Sequence, residues 1–150
     1  MGSERFFAEA GLADPLAAAE GRRMEEQGST VVLVAEDDAS VLDVVVRGLR
    51  VQGFDVAGFD DPREALAAFQ RDPLRWSLVV SDVRMPWMTG PELLRRIRAE
   101  RADLPALLVS GYADRAELEA ARARDPVLGK PFSLRQLVDA VRQRLADDAG

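Results

Sequence analysis

The chain has 150 residues, a formal net charge of −6 and a composition that is 47% hydrophobic. It contains neither Cys nor His, which excludes disulfides, thiol chemistry, histidine acid–base catalysis and the usual zinc ligands. The acidic balance argues against direct nucleic-acid binding, which needs a basic face. No apolar run approaches the roughly 20 residues of a membrane helix, and no secretory signal is visible. We therefore expect a cytoplasmic protein that binds neither membranes nor nucleic acid directly.

Residues 1–28 differ in composition from the rest of the chain. They are rich in charged residues, Gly and Pro, and contain no β-like run. Asp14 and Pro15 favour a helix start, so a short helix or a disordered segment is predicted here. We assign this segment to an N-terminal extension or linker, residues 29–147 to one folded domain and residues 148–150 to a tail.

From residue 30 onwards, short β-branched runs alternate with amphipathic segments. The runs predict five strands, at 31–35, 56–59, 76–81, 106–110 and 127–128. The amphipathic segments predict five helices, at 40–51, 62–70, 91–101, 114–124 and 133–146. This alternation predicts an α/β fold, in which a three-layer, doubly wound (βα)5 arrangement places helices on both faces of a parallel sheet.

Two of the predicted helices carry further detail. In the third, the apolar spacing places Arg95, Arg96 and Arg98 mostly outward. The last begins with a Ser-x-x-Gln capping box, formed by Ser133 and Gln136.

Polar residues follow the predicted strands at the edge where parallel sheets bind ligands. They are Glu36, Asp37 and Asp38 after the first strand, Asp82 after the third, Ser110 at the end of the fourth and Lys130 after the fifth. Lys130 is the only Lys in the chain. We expect these side chains to meet at one rim of the sheet.

The chemistry of this set is that of phosphoryl transfer. Gathered carboxylates repel one another, and a hard cation such as Mg²⁺ removes the conflict. Lys130 and Ser110 are donors suited to phosphate oxygens. An Asp between a cation and an ammonium can act as a nucleophile toward phosphorus.

Each of these residues also has an ordinary interpretation when it is taken alone. Asp37 or Asp38 could cap the first helix, and Asp82 could begin a turn. Ser110 could be a turn residue, and Lys130 could be a solvated surface lysine. Their occurrence together at successive strand ends favours the functional interpretation.

Four segments, taken in order, resemble the CheY-like receiver domain of bacterial two-component response regulators. They are VVLVAEDD at 31–38, LVVSDVRMPWMTG at 78–90, LLVSGYAD at 107–114 and GKPF at 129–132. The resemblance covers about residues 30–145 and implies the flavodoxin-like strand order 2-1-3-4-5. The SGYAD and LGKPFS stretches look especially like receivers attached to hybrid histidine kinases.

The resemblance implies that Asp82 is the phosphoacceptor and that the cofactor is Mg²⁺. Asp37 and Asp82 would bind the metal directly, together with the backbone carbonyl of Arg84. Glu36 would contribute through water.

The resemblance also implies roles for Ser110 and Lys130. Ser110 would bind the phosphoryl group and be drawn toward it on activation. Lys130 would pair with Asp82 before phosphorylation and with the phosphoryl group afterwards. The donor would be a phosphohistidine on a sensor histidine kinase or a histidine phosphotransfer protein, in keeping with the absence of His here. Phosphorylation would shift a two-state equilibrium that controls a downstream protein, and a homodimer is compatible with this function.

Two positions depart from the family pattern. Val127 stands three residues before Lys130, where the family usually has Tyr or Phe. We hypothesise that Arg84 and Tyr112 flank the phosphoryl group and limit the access of water; an exposed Arg and a packed Tyr are the alternative.

Trp87 is the second departure. It stands where the family often has Gly, and it is interpreted either as a partner contact or as a solvated loop residue.

As a signalling phosphoacceptor, the protein would assist its own Mg²⁺-dependent phosphorylation and dephosphorylation without being a conventional enzyme. Two other functions stay open. One is a phosphatase with an Asp nucleophile, but such enzymes have a D-x-D pattern and Asp82-Val83-Arg84 lacks the second Asp. The other is a binding module that keeps the fold without phosphorylation. The complete set of site residues argues against it.

Overall fold

The computed structural model describes residues 29–111 and 124–149. The extension at 1–28, Tyr112 and all but the last residue of the helix predicted at 114–124 lie outside the described residues. Within the described part, no helix is both long and apolar enough to cross a membrane.

The described residues form five strands and four helices. The strands are β1 (Val31–Ala35), β2 (Asp55–Phe59), β3 (Leu78–Asp82), β4 (Ala106–Ser110) and β5 (Val127–Gly129). The helices are α1 (Ala39–Val51), α2 (Pro62–Arg71), α3 (Gly90–Glu100) and α4 (Leu134–Ala149). All strand pairs are parallel, in the order β2-β1-β3-β4-β5. The predicted doubly wound, flavodoxin-like α/β fold is therefore confirmed.

The sheet buries a separate core on each face. Val31, Leu33 and Ala35 of β1 pack into the core that α2 and α3 cover. Val32 and Val34 point the other way, into the core that α1 and α4 cover. Because side chains alternate along a strand, a strand covered on both faces needs an uninterrupted apolar run. This requirement explains why β1 was visible in the sequence to its exact bounds.

The helices begin at residues whose side chains accept hydrogen bonds from the first turn. The capping residues of α1, α2 and α3 are Asp38, Asp61 and Thr89. At the start of α4, the Ser133 hydroxyl accepts a hydrogen bond from the backbone N–H of Gln136 at 3.1 Å. The side-chain carbonyl oxygen of Gln136 accepts one from the backbone N–H of Ser133 at 2.8 Å. This reciprocal pair is the predicted capping box.

Two element bounds differ from those predicted by more than one residue. β3 begins at Leu78 rather than at Trp76, because Trp76 lies in the preceding loop with its indole buried in the core. Helix α4 continues through Ala149, into the residues that the sequence assigns to a tail. The domain bounds at 29 and 147 stay a prediction.

The prediction that Arg98 points outward like Arg95 and Arg96 is wrong. The Arg98 side chain is only 9% exposed, and it forms a two-pronged ion pair with the buried carboxylate of Asp125, with N–O distances of 2.6 and 2.7 Å. Arg144 approaches the same carboxylate to 3.8 Å. These contacts tie α3 and α4 to the segment before β5, at the end of the sheet away from Asp82.

Candidate functional site

The carboxyl ends of β1, β3 and β5 converge on one open pocket. Its lining residues are Asp37, Asp82, Arg84, Met85, Pro86, Gly111 and Lys130. The convergence follows from the topology, because β1 lies directly beside β3 and the residues after parallel neighbours leave the sheet at the same edge. The structure therefore brings together five of the predicted site residues. Four of them line the pocket, namely Asp37, Asp82, Arg84 and Lys130. The fifth, Glu36, accepts a hydrogen bond from the Lys130 ammonium.

Three carboxylates meet in this pocket. Glu36, Asp37 and Asp82 each offer an oxygen, and these oxygens lie within 4.8 Å of one another. Glu36 and Asp82 are buried, at 4% and 6% exposure, whereas Asp37 faces the solvent. Such a set of oxygen donors, open on one side, fits a hard divalent cation that keeps several waters, as Mg²⁺ does.

Lys130 is the cation that the structure places in the cluster. Its ammonium donates to Oε1 of Glu36 at 2.9 Å and to Oδ2 of Asp82 at 3.1 Å. Its backbone N–H donates to the Ser110 carbonyl at 2.7 Å, which fixes the residue beside the end of β4. The ammonium is thus held between two carboxylates rather than solvated at the surface.

Burial sets the electrostatics of the cluster. It raises the pKa of Glu36 to about 7, against the opposing effect of the Lys130 hydrogen bond, and it raises the pKa of Asp82 as well. The charged form of a carboxylate is disfavoured where water is excluded. Burial alone would lower the pKa of Lys130, but its hydrogen bonds to the two carboxylates outweigh this and raise it. Three carboxylates face one ammonium, so the pocket favours a further positive charge.

The two adjacent acids after Glu36 have different surroundings. The Asp38 side chain accepts from the Ser40 N–H at 3.0 Å and from the Ser40 hydroxyl at 2.6 Å, and so caps α1. Asp37 instead lines the pocket. The question that the sequence left open, of which Asp caps the helix, is therefore answered in favour of Asp38.

Two residues that sequence reasoning missed hold the backbone of Asp82. The Ser81 hydroxyl donates to the Asp82 carbonyl at 2.9 Å. Gly90, whose N–H donates to the Val83 carbonyl at 2.8 Å, lies so close that a Cβ there would overlap the Asp82 carbonyl oxygen. The signal for Gly90 in the sequence was its place at the end of the segment 78–90 that resembles the receiver family.

Two of the residues proposed for switching, Arg84 and Ser110, lie at or next to the pocket. Ser110 is buried at the end of β4. Its hydroxyl donates to the carbonyl of Gly111, which is one of the residues that line the pocket. Arg84 is exposed on the pocket wall. Val127 begins β5 and is half-buried against the core below α2 and α3. Tyr112 lies outside the described residues.

Trp87 lies at the tip of the loop between β3 and α3. It is 73% exposed, and its backbone has a φ of 75°. The guanidinium of Arg63 lies 4.0 Å from the centroid of its ring. Its exposure agrees with both interpretations of this residue, and the contact with Arg63 was not expected.

The sequence matches the response regulator receiver domain family over residues 32–142. The chain belongs to this family. Receiver domains are signalling modules rather than conventional enzymes, which agrees with the expectation from the sequence.

The receiver is similar to parts of larger proteins and to a protein of its own size. It is 37% identical over 147 residues to the sensor kinase CckA of Brucella abortus, covering 94% of this chain and 16% of that protein. It is 39% identical over 120 residues to the C4-dicarboxylate transport transcriptional regulatory protein DctD of Pseudomonas aeruginosa, covering 77% and 25%. It is 36% identical over 116 residues to the response regulator receiver protein CpdR of Brucella abortus, covering 76% and 95%.

Solved receiver structures share the fold. A response regulator receiver protein from Pseudomonas putida superimposes with a TM-score of 0.69 at 32% identity, covering 77% of this chain and 98% of that one. The receiver domain of the hybrid histidine kinase CckA superimposes with a TM-score of 0.65 at 29% identity, with the same coverage. The receiver thus has relatives both among response regulators and within a sensor kinase.

Proposed function

We propose that this receiver accepts a phosphoryl group from a phosphohistidine onto Asp82 and thereby controls a partner protein. The observation that carries the proposal is the environment of the Asp82 carboxylate, which lies in an open pocket 3.1 Å from the Lys130 ammonium and within 4.8 Å of two further carboxylates. An Asp that only begins a turn would instead direct its carboxylate to nearby backbone N–H groups.

In the transfer, a carboxylate oxygen of Asp82 attacks phosphorus. The bond between phosphorus and the imidazole nitrogen of the donor breaks, and the electron pair stays on that nitrogen. Lys130 is suited to follow the charge, because it can move its hydrogen bond from Asp82 to a phosphoryl oxygen while Glu36 still holds the ammonium at 2.9 Å.

The cation site is proposed from the same residues. Asp37, Asp82 and the carbonyl of Arg84 would hold Mg²⁺, with Glu36 acting through water. When bound, the metal neutralises charge on the transferring phosphoryl oxygens. The geometry supports the proposal, because three carboxylate oxygens lie within 4.8 Å of one another and share the single ammonium of Lys130.

The conformational response would begin at Ser110. Phosphorylation replaces the single negative charge of the Asp82 carboxylate by the about −1.5 to −2 charges of a phosphoryl group, which lie farther out and beside this residue. To donate to a phosphoryl oxygen, the Ser110 hydroxyl has to leave the Gly111 carbonyl, to which it now donates at 2.9 Å. The end of β4 would then shift and change the surface that a downstream protein reads. The donor would be a sensor histidine kinase or a histidine phosphotransfer protein.

Labelling with acetyl phosphate and Mg²⁺ tests the proposal. We expect the intact mass of the protein to increase by one phosphoryl group, and the increase to disappear in Asp82→Asn. Asp43→Asn, which removes a carboxylate on α1 that pairs with Arg47, is the matched control and should label as the wild type does. Equal labelling of Asp82→Asn would contradict Asp82 as the acceptor.

The same assay separates the two alternative functions. Repeated turnover of a phosphate ester, with no labelled protein accumulating, would favour a phosphatase. A protein that binds the divalent metal and never labels would favour a binding module.

A further inference from the structure

Trp87 has an unfavourable backbone conformation and an unfavourable exposure. Its φ of 75° lies in the left-handed region, which bulky side chains rarely adopt. In addition, 73% of its surface is exposed. Gly or Asn would be less strained in the same turn. The loop keeps this conformation only if other contacts compensate.

The compensating contact comes from Arg63 at the start of α2. Its guanidinium lies 4.0 Å from the Trp87 ring centroid, well within the range of a cation–π interaction. The guanidinium is itself held by the Asp61 carboxylate, with N–O distances from 2.8 to 3.3 Å. Asp61 also accepts from the Arg63 backbone N–H at 2.9 Å and thus caps α2. The stack is therefore anchored to the first turn of a helix.

The loop that carries Trp87 forms one wall of the acidic pocket. Its base is closed by the hydrogen bond from the Gly90 N–H to the Val83 carbonyl at 2.8 Å. Residues 84–86 line the pocket, and Trp87 follows them at the tip. A contact at the tip therefore helps to place the whole wall, including the carbonyl of Arg84.

We infer that Arg63 and Trp87 are positioning residues for the metal site: their stack holds the loop after β3 in the conformation in which the Arg84 carbonyl and the Asp82 carboxylate can bind one cation. The inference rests on the proposed function, because the cation is that of the phosphoacceptor site. Arg63 and Trp87 act through the loop and are not metal ligands themselves.

The inference predicts an effect opposite in sign to that of simple electrostatics. Removing the positive charge of Arg63 beside an acidic pocket should strengthen cation binding through charge alone. Losing the stack should weaken cation binding, because the loop would then populate conformations with the carbonyl misplaced. A weaker affinity in Arg63→Gln therefore identifies the positioning effect.

The decisive measurement is the affinity of the full chain for Mn²⁺, followed by the electron paramagnetic resonance signal of the free ion. Mn²⁺ takes the same oxygen ligands as Mg²⁺. We expect Arg63→Gln to raise the Kd about two- to fivefold, the factor that loss of an exposed cation–π contact implies. Arg47→Gln, which removes an exposed Arg paired with Asp43 on α1, is the matched charge control. It should leave the Kd unchanged or slightly lower.

Variants of Trp87 separate positioning from stability. Trp87→Gly removes the ring and relaxes the backbone, so we expect a raised Kd for Mn²⁺ without a lower free energy of unfolding. Trp87→Phe keeps a ring and should bind Mn²⁺ nearly as the wild type does. The double variant Arg63→Gln/Trp87→Gly should bind Mn²⁺ no more weakly than either single variant, because both changes remove the same contact.

A second readout needs no metal. Trp76 is buried at 3% exposure, so quenching of tryptophan emission by acrylamide reports mainly on Trp87. We expect quenching to increase in Arg63→Gln and to stay unchanged in Arg47→Gln. Unchanged quenching in Arg63→Gln, or wild-type Mn²⁺ affinity in Arg63→Gln and Trp87→Gly, would overturn the inference. If Asp37→Asn binds Mn²⁺ as the wild type does, the proposed metal site itself is wrong and the inference fails with it.

Discussion

The ammonium of Lys130 lies closer to Glu36 than to the proposed phosphoacceptor, at 2.9 Å from the Glu36 carboxylate and 3.1 Å from that of Asp82. Because Glu36 is almost fully buried, water screens this ion pair only weakly. We therefore expect two tasks for Lys130, to neutralise the buried carboxylate of Glu36 and to face that of Asp82. The family pattern implied only the second of these tasks.

Substituting Lys130 by Arg should separate the two tasks. The guanidinium keeps the positive charge, so we expect the free energy of unfolding to stay within about 1 kcal/mol of the wild type. A planar fork cannot replace a compact ammonium between two carboxylates. Labelling by acetyl phosphate should therefore slow about tenfold or more. An Arg variant that labels at the wild-type rate would show that the site needs only a positive charge.

Glu36 should make the stability of the fold depend on pH. Its pKa is about 7 in the folded state against 4.5 for an ordinary Glu, so folding favours the protonated form. Its contribution to stability is thus present below about pH 4.5 and is lost as the pH rises to about 7. We expect Glu36→Gln to be more stable than the wild type at pH 8, by about 1–3 kcal/mol, and to lose this advantage near pH 4.5.

Urea unfolding at several pH values measures this effect. Glu100→Gln, an exposed carboxylate at the end of α3, is the matched control and should show a constant offset. If the difference in unfolding free energy between Glu36→Gln and the wild type does not depend on pH, burial does not raise the pKa of Glu36.

Asp37 and Asp38 are neighbours in sequence and should differ in effect. Asp38→Ala removes the cap of α1 and should lower the free energy of unfolding by about 1 kcal/mol, with little change in Mn²⁺ affinity. Asp37→Asn should weaken Mn²⁺ binding at least tenfold and leave stability unchanged or raised, because it relieves repulsion in the cluster. Calorimetry and Mn²⁺ titration of the two variants check this. If Asp37→Asn instead lowered stability and Asp38→Ala weakened Mn²⁺ binding, the two residues would have the opposite roles.

Gly90 should tolerate no side chain. In Gly90→Ala the Cβ would overlap the Asp82 carbonyl oxygen and approach the Ser81 hydroxyl, so the backbone of Asp82 has to move. We expect a loss of about 1–3 kcal/mol in stability and a clear loss of labelling. In Gly129→Ala the new Cβ meets nothing within 4 Å, so this variant should label normally. If the two variants behave alike, close packing at position 90 is not what matters.

Arg84 and Tyr112 are expected to control the lifetime of the phosphorylated state. If they flank the phosphoryl group, Arg84→Ala and Tyr112→Ala should admit water and dephosphorylate several-fold faster. Their rates can be followed by loss of the label after the phosphodonor is removed. Rates equal to that of the wild type would remove this role for both residues.

The sequence predicted the fold well because local patterns determine it. The β-branched run of β1, ended by acidic residues, was sufficient to place that strand and its polar edge, and parallel topology then brought Asp82 and Lys130 to the same edge. Contacts between distant segments left no local signal. Arg98 has the spacing of a surface residue, yet its partner Asp125 lies beyond the next strand.

The loop after β3 shows the same limit. The sequence indicated that Trp87 was unusual but could not identify Arg63, in a different helix, as its neighbour. Nor could it show that Glu36 shares the ammonium of Lys130, because this depends on how deeply each carboxylate is buried. Local order was predictable here, and the pairing of side chains across the fold was not.

Lys130 is the only lysine of the chain, and its side chain is 28% exposed. The protein therefore carries a single side-chain amine, and that amine lies beside Asp82, the proposed phosphoacceptor. Reductive methylation with isotope-enriched formaldehyde would place one dimethyl-lysine reporter in the pocket. The N-terminal amine is methylated as well, and the resonance that is missing from Lys130→Arg identifies the lysine. That resonance could then be followed in mixtures with a kinase, where the spectra of larger partners are otherwise too crowded to interpret.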